Sequence, residues 1–190
     1  APQGTVDAVV VGSHLVQAFQ TIVSRNIDPI ESAVVTVGKF QSGNNFNIIA
    51  DSAELIGTTR AYKEEFRELI IEKMEDIISG TEKMFGAVIE MDYQKGYPPT
   101  INAESAYEKL ISSARKIVGE NAKIPYLSMG AEDFSYMLQA RPGCYVWLGI
   151  GTGKGEGGCM LHSSHYDFND DVLPSGASYW ATLVENELAA

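Results

Sequence analysis

Apolar residues recur at helical spacing in two long stretches of the first half of the chain. Residues 6–24 place valine, leucine, isoleucine and phenylalanine on one face, and Thr5 precedes them as a candidate N-cap. Residues 63–84 show the stronger pattern, with apolar side chains on one face and Glu, Lys and Arg on the other. Gly80 falls near the end of that stretch, where it is a candidate cap or break. The pattern predicts two amphipathic helices.

Alternation of apolar and polar positions, rich in β-branched residues, predicts three strands in the same half. Residues 33–41 and 54–60 lie on either side of a polar loop that begins at residues 42–45. These two strands are therefore predicted to pair as an antiparallel ribbon. Residues 87–93 alternate in the same way and predict a third strand.

The predicted order is helix–strand–strand–helix–strand, which is a ferredoxin-like unit without its first strand. That strand is central in the usual antiparallel order, so its absence would leave unpaired backbone groups in the middle of the sheet. We therefore expect the missing strand immediately upstream of Ala1 and expect the chain to be a piece of a longer protein. The chain also begins Ala-Pro-Gln-Gly, without a Met.

The second half begins at a candidate domain boundary, residues 96–99, with the sequence Gly-Tyr-Pro-Pro. Three stretches beyond it have helical periodicity: 103–118, 134–139 and 176–187. Residues 145–149 predict a buried strand, and residues 151–158 (GTGKGEGG) predict a flexible glycine-rich loop. The chain as a whole predicts a mixed α/β protein.

Composition and charge exclude several classes of function. With 14 basic and 25 acidic residues the formal net charge is −11, which argues against sequence-independent binding to nucleic acid. Apolar runs are too short to span a bilayer, and no signal peptide is visible. Two cysteines among 190 residues indicate free thiols in a reducing compartment, which predicts a cytoplasmic location. No serine-nucleophile, Walker or dinucleotide-binding motif occurs.

Three histidines are candidates for chemistry. His14 lies inside the first predicted helix, where a packed or solvent-facing role is the simpler interpretation. His162 and His165 follow the glycine-rich loop, a position suited to a metal ligand or a proton carrier. Their His-x-x-His spacing alone does not distinguish a metal site from an ordinary loop.

Other polar residues allow two interpretations each. Asn47 and Arg60 follow the loop and the second strand of the predicted ribbon, and we expect both at the same open end of that ribbon. An arginine fork beside an amide suits a carboxylate, but from spacing alone a surface arginine and a turn asparagine are the simpler interpretation. Glu132, Asp133 and the acidic residues within 167–171 would serve either as oxygen ligands or as helix caps.

Several segments taken together resemble one family. They are residues 20–25 (QTIVSR), 43–51 (GNNFNIIAD), 57–60 (GTTR), 97–99 (YPP), 129–134 (MGAEDF), 161–162 (LH), 167–170 (DFND) and 173–177 (LPSGA). Their order and spacing resemble the zinc-dependent aminoacylase and carboxypeptidase superfamily. The branch is that of hippurate hydrolase, N-acyl-amino-acid amidohydrolases and plant auxin-conjugate hydrolases. The resemblance covers essentially the whole chain.

The resemblance implies a domain organisation. Residues 1–95 would be a ferredoxin-like lid and dimerisation domain without its first strand. Residues 96–190 would be the C-terminal portion of a metallopeptidase α/β catalytic domain with a two-metal site. The part of the family that carries most metal ligands and the glutamate general base is absent, so this chain alone is expected to be inactive.

The resemblance also implies roles for individual residues. His162 matches the last metal ligand of the family, whereas His165 matches no invariant position. Asn47 and Arg60 match lid residues that hold the substrate carboxylate, often in the active site of the other subunit. Glu132 matches a position near the substrate pocket and is the candidate catalytic residue of this chain.

The function implied for the intact protein is hydrolysis of the amide bond of N-acyl amino acids by two divalent ions. Zinc, manganese, cobalt and nickel all remain open as the metal, and a homodimer formed through the lid is expected. Two alternatives stay open: a dipeptidase or carboxypeptidase of the same superfamily, and a non-catalytic dimerisation or binding fragment. No nucleic-acid or membrane partner is expected.

Overall fold

The computed structural model describes residues 1–151 and 158–188, and it divides into two compact units, Ala1–Pro99 and Thr100–Ala190. The predicted glycine-rich loop, residues 151–158, lies outside the described residues except for its first and last residue. None of the helices that the structure describes is both long enough and apolar enough to cross a membrane.

The first unit contains two helices and a hairpin. Its elements are α1 (Ala8–Thr21), a π-helical turn (Ile22–Asn26), β1 (Ala33–Ser42), β2 (Ala53–Ala61) and α2 (Glu64–Phe85). A short 3₁₀ turn, Pro2–Gly4, precedes them. The strands β1 and β2 form a two-stranded antiparallel sheet, as the alternation predicted.

Asp7, and not Thr5, caps the first helix. Its carboxylate accepts hydrogen bonds from the backbone N–H groups of Val9 at 2.9 Å and Val10 at 3.4 Å. A carboxylate satisfies these free donors and also interacts favourably with the helix dipole. The N-cap prediction at Thr5 is therefore wrong by two residues.

The long helix α2 runs through Gly80 without a break. It ends at Gly86, which caps it in the left-handed conformation with φ of 68°. A glycine adopts that conformation without a Cβ penalty, whereas Gly80 has ordinary helical neighbours on both sides. The prediction of a cap or break at Gly80 is wrong.

Glycine at position 57 lets the two strands of the hairpin approach closely. Gly57 lies opposite Val37, and a Cβ atom there would lie 2.4 Å from the carbonyl oxygen of Thr36. The register then shifts by one residue at Gly38, between Val37 and Lys39. This bulge fixes which residues of β1 and β2 face each other up to the end of the hairpin.

The core of the first unit lies between the helices and one face of the hairpin. It consists of buried apolar residues from α1, the π-helical turn, β1 and α2: Leu15, Phe19, Ile22, Ile27, Val35 and Ile70. Ile22 and Ile70 are fully buried. The faces predicted for the two helices supply part of this core, Leu15 and Phe19 from the first and Ile70 from the second. Val9 and Val10, predicted on the first face, are exposed instead.

Replacing Ile70 with alanine is expected to lower the free energy of unfolding by about 2–5 kcal/mol, because the cavity forms at a fully buried position. Ile30→Ala is the matched control, since Ile30 is 88% exposed and its loss should change stability by less than about 0.5 kcal/mol. Urea denaturation of both variants measures the difference. Equal losses would contradict the assigned core.

Residues 87–93 are not a strand in the structure, although their side chains alternate as a strand requires. Ala87, Ile89, Met91 and Tyr93 are half-buried, and the residues between them are exposed. Ile89 packs against the core, and the hydroxyls of Tyr93 and Thr59 lie 2.6 Å apart. Within the described residues no backbone–backbone hydrogen bond joins this segment to a strand.

A strand needs backbone partners, and within the described residues no strand runs beside residues 87–93. The alternation therefore identified the buried face of this segment correctly, but the prediction of a paired strand is wrong for this chain.

The described part of the second unit contains three helices, α3 (Glu104–Val118), α4 (Phe134–Ala140) and α5 (Leu173–Leu188). Two 3₁₀ turns, Gly119–Asn121 and Asp170–Val172, follow α3 and precede α5. Helices α3 and α5 pack together, and a polar contact lies in their interface. There the amide of Asn186 donates to the buried hydroxyl of Ser113 at 2.8 Å. The three predicted helices agree with the observed bounds to within three residues.

The predicted buried strand 145–149 is wrong. The structure gives this segment no strand pairing, and Trp147 within it is 55% exposed. Its apolar residues favour a strand, but no backbone partner runs beside it within the described ranges 1–151 and 158–188. The only ring contact described for Trp147 is with Tyr126, at 6.3 Å between ring centroids.

Candidate functional site

His162 occupies the third position of a tight turn formed by residues 160–163. The backbone N–H of Ser163 donates to the carbonyl oxygen of Met160 at 3.2 Å, and His162 has φ of 71°. Among the described residues it is the only one with positive φ that is not glycine. A turn in which only the third position has positive φ is a type II turn, and that position is normally Gly or Asn. The imidazole is thus present where the backbone favours glycine.

His165 lies in the following turn. The backbone N–H of Tyr166 donates to the carbonyl oxygen of Ser163 at 3.1 Å, and the Ser163 hydroxyl accepts from the N–H of His165 at the same distance. Both histidines are exposed. His14, by contrast, packs edge-on against Phe85 within the first unit.

The described residues do not form a metal centre by themselves. No group of three or more His, Cys, Asp or Glu side chains converges within residues 1–151 and 158–188. Catalytic zinc sites normally use three protein ligands. His162 is therefore a candidate ligand that requires partners from outside the described residues.

Arg60 lies near the end of β2, paired with Val34 of β1. Its guanidinium donates to the hydroxyl of Thr58 and to the carbonyl oxygen of Thr59, the latter at 2.8 Å. The side chain is half-buried and held against its own strand. These two bonds fix the orientation of the guanidinium relative to β2.

Asn47 lies in the connecting loop of the hairpin, residues 43–52, and is exposed. The hydroxyl of Ser42 donates to the carbonyl oxygen of Ser52 at 2.7 Å and closes the base of that loop. At about 3.3 Å per residue, the seven steps from Ala53 to Arg60 span about 23 Å.

The register places Arg60 at the hairpin end away from the loop that carries Asn47, so the expectation that both lie at one end is wrong. The last residues of a second strand lie opposite the start of the first, not beside the loop. The roles of Asn47 and Arg60 toward the substrate stay predictions.

Glu132 precedes α4 and caps its first turn with both its main chain and its side chain. Its carboxylate accepts from the backbone N–H of Phe134 at 3.3 Å, and its carbonyl oxygen accepts from the hydroxyl of the buried Ser135 at 2.6 Å. Asp133, at the formal N-cap, makes no side-chain capping bond. Asp133, one of the predicted caps, therefore does not cap this helix, whereas the Ser135 hydroxyl donates to the backbone at its start.

Tyr145 is the second partner of Glu132. The Tyr145 hydroxyl, hydrogen-bonded to the carboxylate, holds the pKa of Glu132 below its ordinary value, and the Phe134 N–H adds to the effect. The same hydrogen bond raises the pKa of Tyr145. The rings of Tyr145 and Phe134 are also in contact, with centroids 5.7 Å apart.

Asn102 fixes the backbone of Tyr145. Its amide nitrogen donates to the Tyr145 carbonyl oxygen at 3.0 Å, and its amide oxygen accepts from the Tyr145 N–H at 2.7 Å. The backbone N–H of Ala103 donates to the carbonyl oxygen of Gly143 at 2.9 Å and extends this contact. Sequence reasoning missed both Asn102 and Tyr145, because no motif joins residues 43 positions apart.

Several known proteins are similar in sequence to this chain. N-acetyldiaminopimelate deacetylase of Brevibacillus brevis is 38% identical over 173 residues, which cover 90% of this chain and 45% of that protein. Hippurate hydrolase of Campylobacter jejuni is 35% identical over 185 residues, which cover 96% of this chain and 47% of that protein. The chain therefore spans about half the length of the relatives it matches.

A solved structure has the same fold. The YXEP protein of Bacillus subtilis, described as a dinuclear metal binding peptidase from the M20 family, superposes with a TM-score of 0.73 at 23% identity. The superposition covers 95% of this chain and 46% of that one. It confirms the predicted mixed α/β fold class.

The sequence profile described as Peptidase family M20/M25/M40 matches residues 2–186. That range includes every segment on which the resemblance was based, from residues 20–25 to residues 173–177. The resemblance to zinc-dependent aminoacylases and carboxypeptidases is thereby confirmed, and the chain belongs to peptidase family M20/M25/M40.

Proposed function

We propose that the intact protein containing these residues is a metal-dependent hydrolase that cleaves the amide bond of N-acyl amino acids. The match to the M20 family over residues 2–186 carries this proposal. Two relatives support it by name, one a hippurate hydrolase and the other a deacetylase of N-acetyldiaminopimelate. The description of the YXEP protein as dinuclear supports a site for two divalent ions, of unspecified metal.

His162 is the proposed metal ligand of this chain. Its exposed imidazole on a type II turn has access to a site built with residues from outside the described ranges. Divalent ions, when bound, polarise an amide carbonyl and lower the pKa of a water molecule. His162 would contribute a ring nitrogen to that site, carried on the turn formed by residues 160–163.

Arg60 and Asn47 are the proposed substrate contacts of this chain, and Arg60 is the one proposed to bind the substrate carboxylate. A guanidinium pairs with a carboxylate through two parallel, charge-assisted hydrogen bonds, which bind and orient it. Such orientation places a scissile amide reproducibly and lowers the entropic part of the barrier. Because the two residues lie at opposite ends of the hairpin, Arg60 is assigned the carboxylate and Asn47 an independent contact.

We also propose that residues 1–95 form the lid and the dimer contact, and that residues 96–190 belong to the catalytic domain. Supporting a dimer, α1 exposes apolar side chains, with Val9 44% and Val10 51% exposed. The described cysteines, Cys144 and Cys159, are free thiols, which is in keeping with the proposed cytoplasmic location. Burial raises the pKa of the Cys144 thiol, which disfavours a cysteine nucleophile.

The intact protein is expected to release free amino acid from N-acetyl and N-benzoyl amino acids faster than it cleaves unblocked dipeptides. The measurement is an amine-release assay over a panel matched in the amino acid that leaves. Unblocked dipeptides cleaved at least as fast would favour the dipeptidase alternative. No turnover of either class by the metal-loaded protein would favour the non-catalytic binding fragment.

A further inference from the structure

Residues 57–60, with the sequence Gly-Thr-Thr-Arg, present side chains on both faces of the hairpin. Thr59 lies opposite Val35, a buried residue of the core, and therefore faces the core as Val35 does. Thr58 and Arg60 lie on the other face, because successive side chains of a strand alternate. Thr58 is exposed and Arg60 is half-buried. These two polar side chains are therefore neighbours on the face of β2 away from the core.

Arg60 is held by two acceptors from its own strand. Its Nη1 atom donates to the hydroxyl of Thr58 and, at 2.8 Å, to the carbonyl oxygen of Thr59. A guanidinium is planar and rigid, so two bonds from one nitrogen also set the plane and the direction of the other nitrogens. An arginine side chain otherwise has many rotamers, and ordering them opposes binding.

The backbone beneath this pair is anchored from the core side. The hydroxyls of Thr59 and Tyr93 lie 2.6 Å apart and are partly buried. Gly57 lies so close to the first strand that a Cβ atom there would be 2.4 Å from the carbonyl oxygen of Thr36. The end of β2 is thus a fixed base for the side chains on its other face.

We infer that Thr58 is a positioning residue for Arg60, and that its hydroxyl holds the guanidinium in the orientation in which it binds the substrate carboxylate. The inference rests on the proposed carboxylate contact of Arg60 and adds a residue that acts through the guanidinium. A guanidinium ordered before the substrate arrives loses less entropy when it binds. Thr58 should therefore matter only for substrates that Arg60 binds.

Threonine is well suited to this position. Its branched Cβ restricts the first side-chain torsion in a strand, so the hydroxyl has a defined direction. Valine has nearly the same shape and favours strands as strongly, but it has no hydroxyl. Thr58→Val therefore removes the acceptor of Arg60 while leaving the strand intact.

In the intact protein, Thr58→Val is expected to raise KM for N-acyl amino acids about 3- to 10-fold, with kcat nearly unchanged. The kcat/KM for the matched methyl esters should stay within about twofold. Thr58→Ser retains the hydroxyl and should restore most of the loss. In an Arg60→Ala background, Thr58→Val should have no further effect, because the hydroxyl acts through the guanidinium. Equal losses on acids and esters, or a loss that persists without Arg60, would overturn the inference.

Thr36→Val is the matched control. Thr36 lies directly opposite Thr58 in the register, on the same face, and is also exposed. Its hydroxyl is not one of the two acceptors that hold Nη1 of Arg60. The substitution is expected to leave KM for acids and esters unchanged. The same rise in KM as in Thr58→Val would overturn the inference, because it would indicate a general effect of losing a hydroxyl from this sheet.

Nitrogen-15 NMR of the Arg60 side chain distinguishes failure of this inference from failure of the proposed function. The signals are assigned by their loss in Arg60→Lys. Bonds from Nη1 slow rotation of the guanidinium, so the wild type should give separate Nη signals that merge in Thr58→Val. Unchanged Nη signals in Thr58→Val would overturn the inference even in an active hydrolase. Merged signals in a protein without turnover would reject the proposed function but support Thr58 as the residue that orients Arg60.

Discussion

Replacing His162 with asparagine in the intact protein is expected to lower kcat/KM for N-acyl amino acids by about a thousandfold or more. It should also reduce the metal content. The loss corresponds to about 4 kcal/mol of transition-state stabilisation, because a metal ligand both holds the ion and sets its position. Metal analysis of the purified variant and steady-state kinetics measure the two effects separately.

The choice of asparagine follows from the backbone at this position. With φ of 71°, His162 is in a conformation that glycine and asparagine adopt readily and that alanine adopts with strain. His162→Asn therefore removes the imidazole without an added folding penalty. His162→Gly should lose metal equally while leaving the folded state unchanged or more stable by about 1 kcal/mol. Loss of function with gain of stability is expected only where a strained residue is kept for its chemistry.

His165→Asn is the matched control, because His165 is equally exposed and lies in the next turn. It should retain metal content and turnover. Full metal content and activity in His162→Asn would reject the ligand assignment, as would equal losses at the two histidines.

Local patterns predicted the helices and the hairpin because the residues that determine each of these elements are close together in the sequence. The apolar faces of α1 and α2 and the alternation of β1 and β2 predicted elements within three residues of the observed ends. Residues 87–93 and 145–149 have equally clear patterns, yet neither is paired in this chain. Strand formation depends on a backbone partner, and the sequence of one segment does not contain its partner.

The candidate site was predictable only in part for a related reason. The family resemblance gave residue types, but the left-handed turn at His162 and the capping of α4 by Glu132 depend on conformations and contacts that no motif encodes. The joint placement of Asn47 and Arg60 failed because the end of the second strand was assigned to the same end of the hairpin as the loop. The pairing of Arg60 with Val34 places Arg60 at the end of the hairpin away from the loop.

Arg60→Ala is expected to lower kcat/KM for substrates with a free α-carboxylate by about 10- to 100-fold. The kcat/KM for methyl esters of the same substrates should fall much less, because an ester has no negative charge with which the guanidinium can pair. Arg67→Ala provides the control, since Arg67 pairs with Glu64 on α2 and should affect neither substrate. Equal losses on acids and esters in Arg60→Ala would contradict a carboxylate contact and indicate a structural role.

Mixing the Arg60→Ala and His162→Asn proteins tests whether Arg60 acts across a dimer. If the arginine of one protomer serves the metal site of the other, a hybrid dimer contains one site with both residues intact. Random exchange of subunits would then restore about a quarter of the wild-type activity. If Arg60 serves its own protomer, each site in the hybrid lacks one residue and no activity returns. Recovery would therefore support both the proposed dimer and the contribution of the lid to its partner's site.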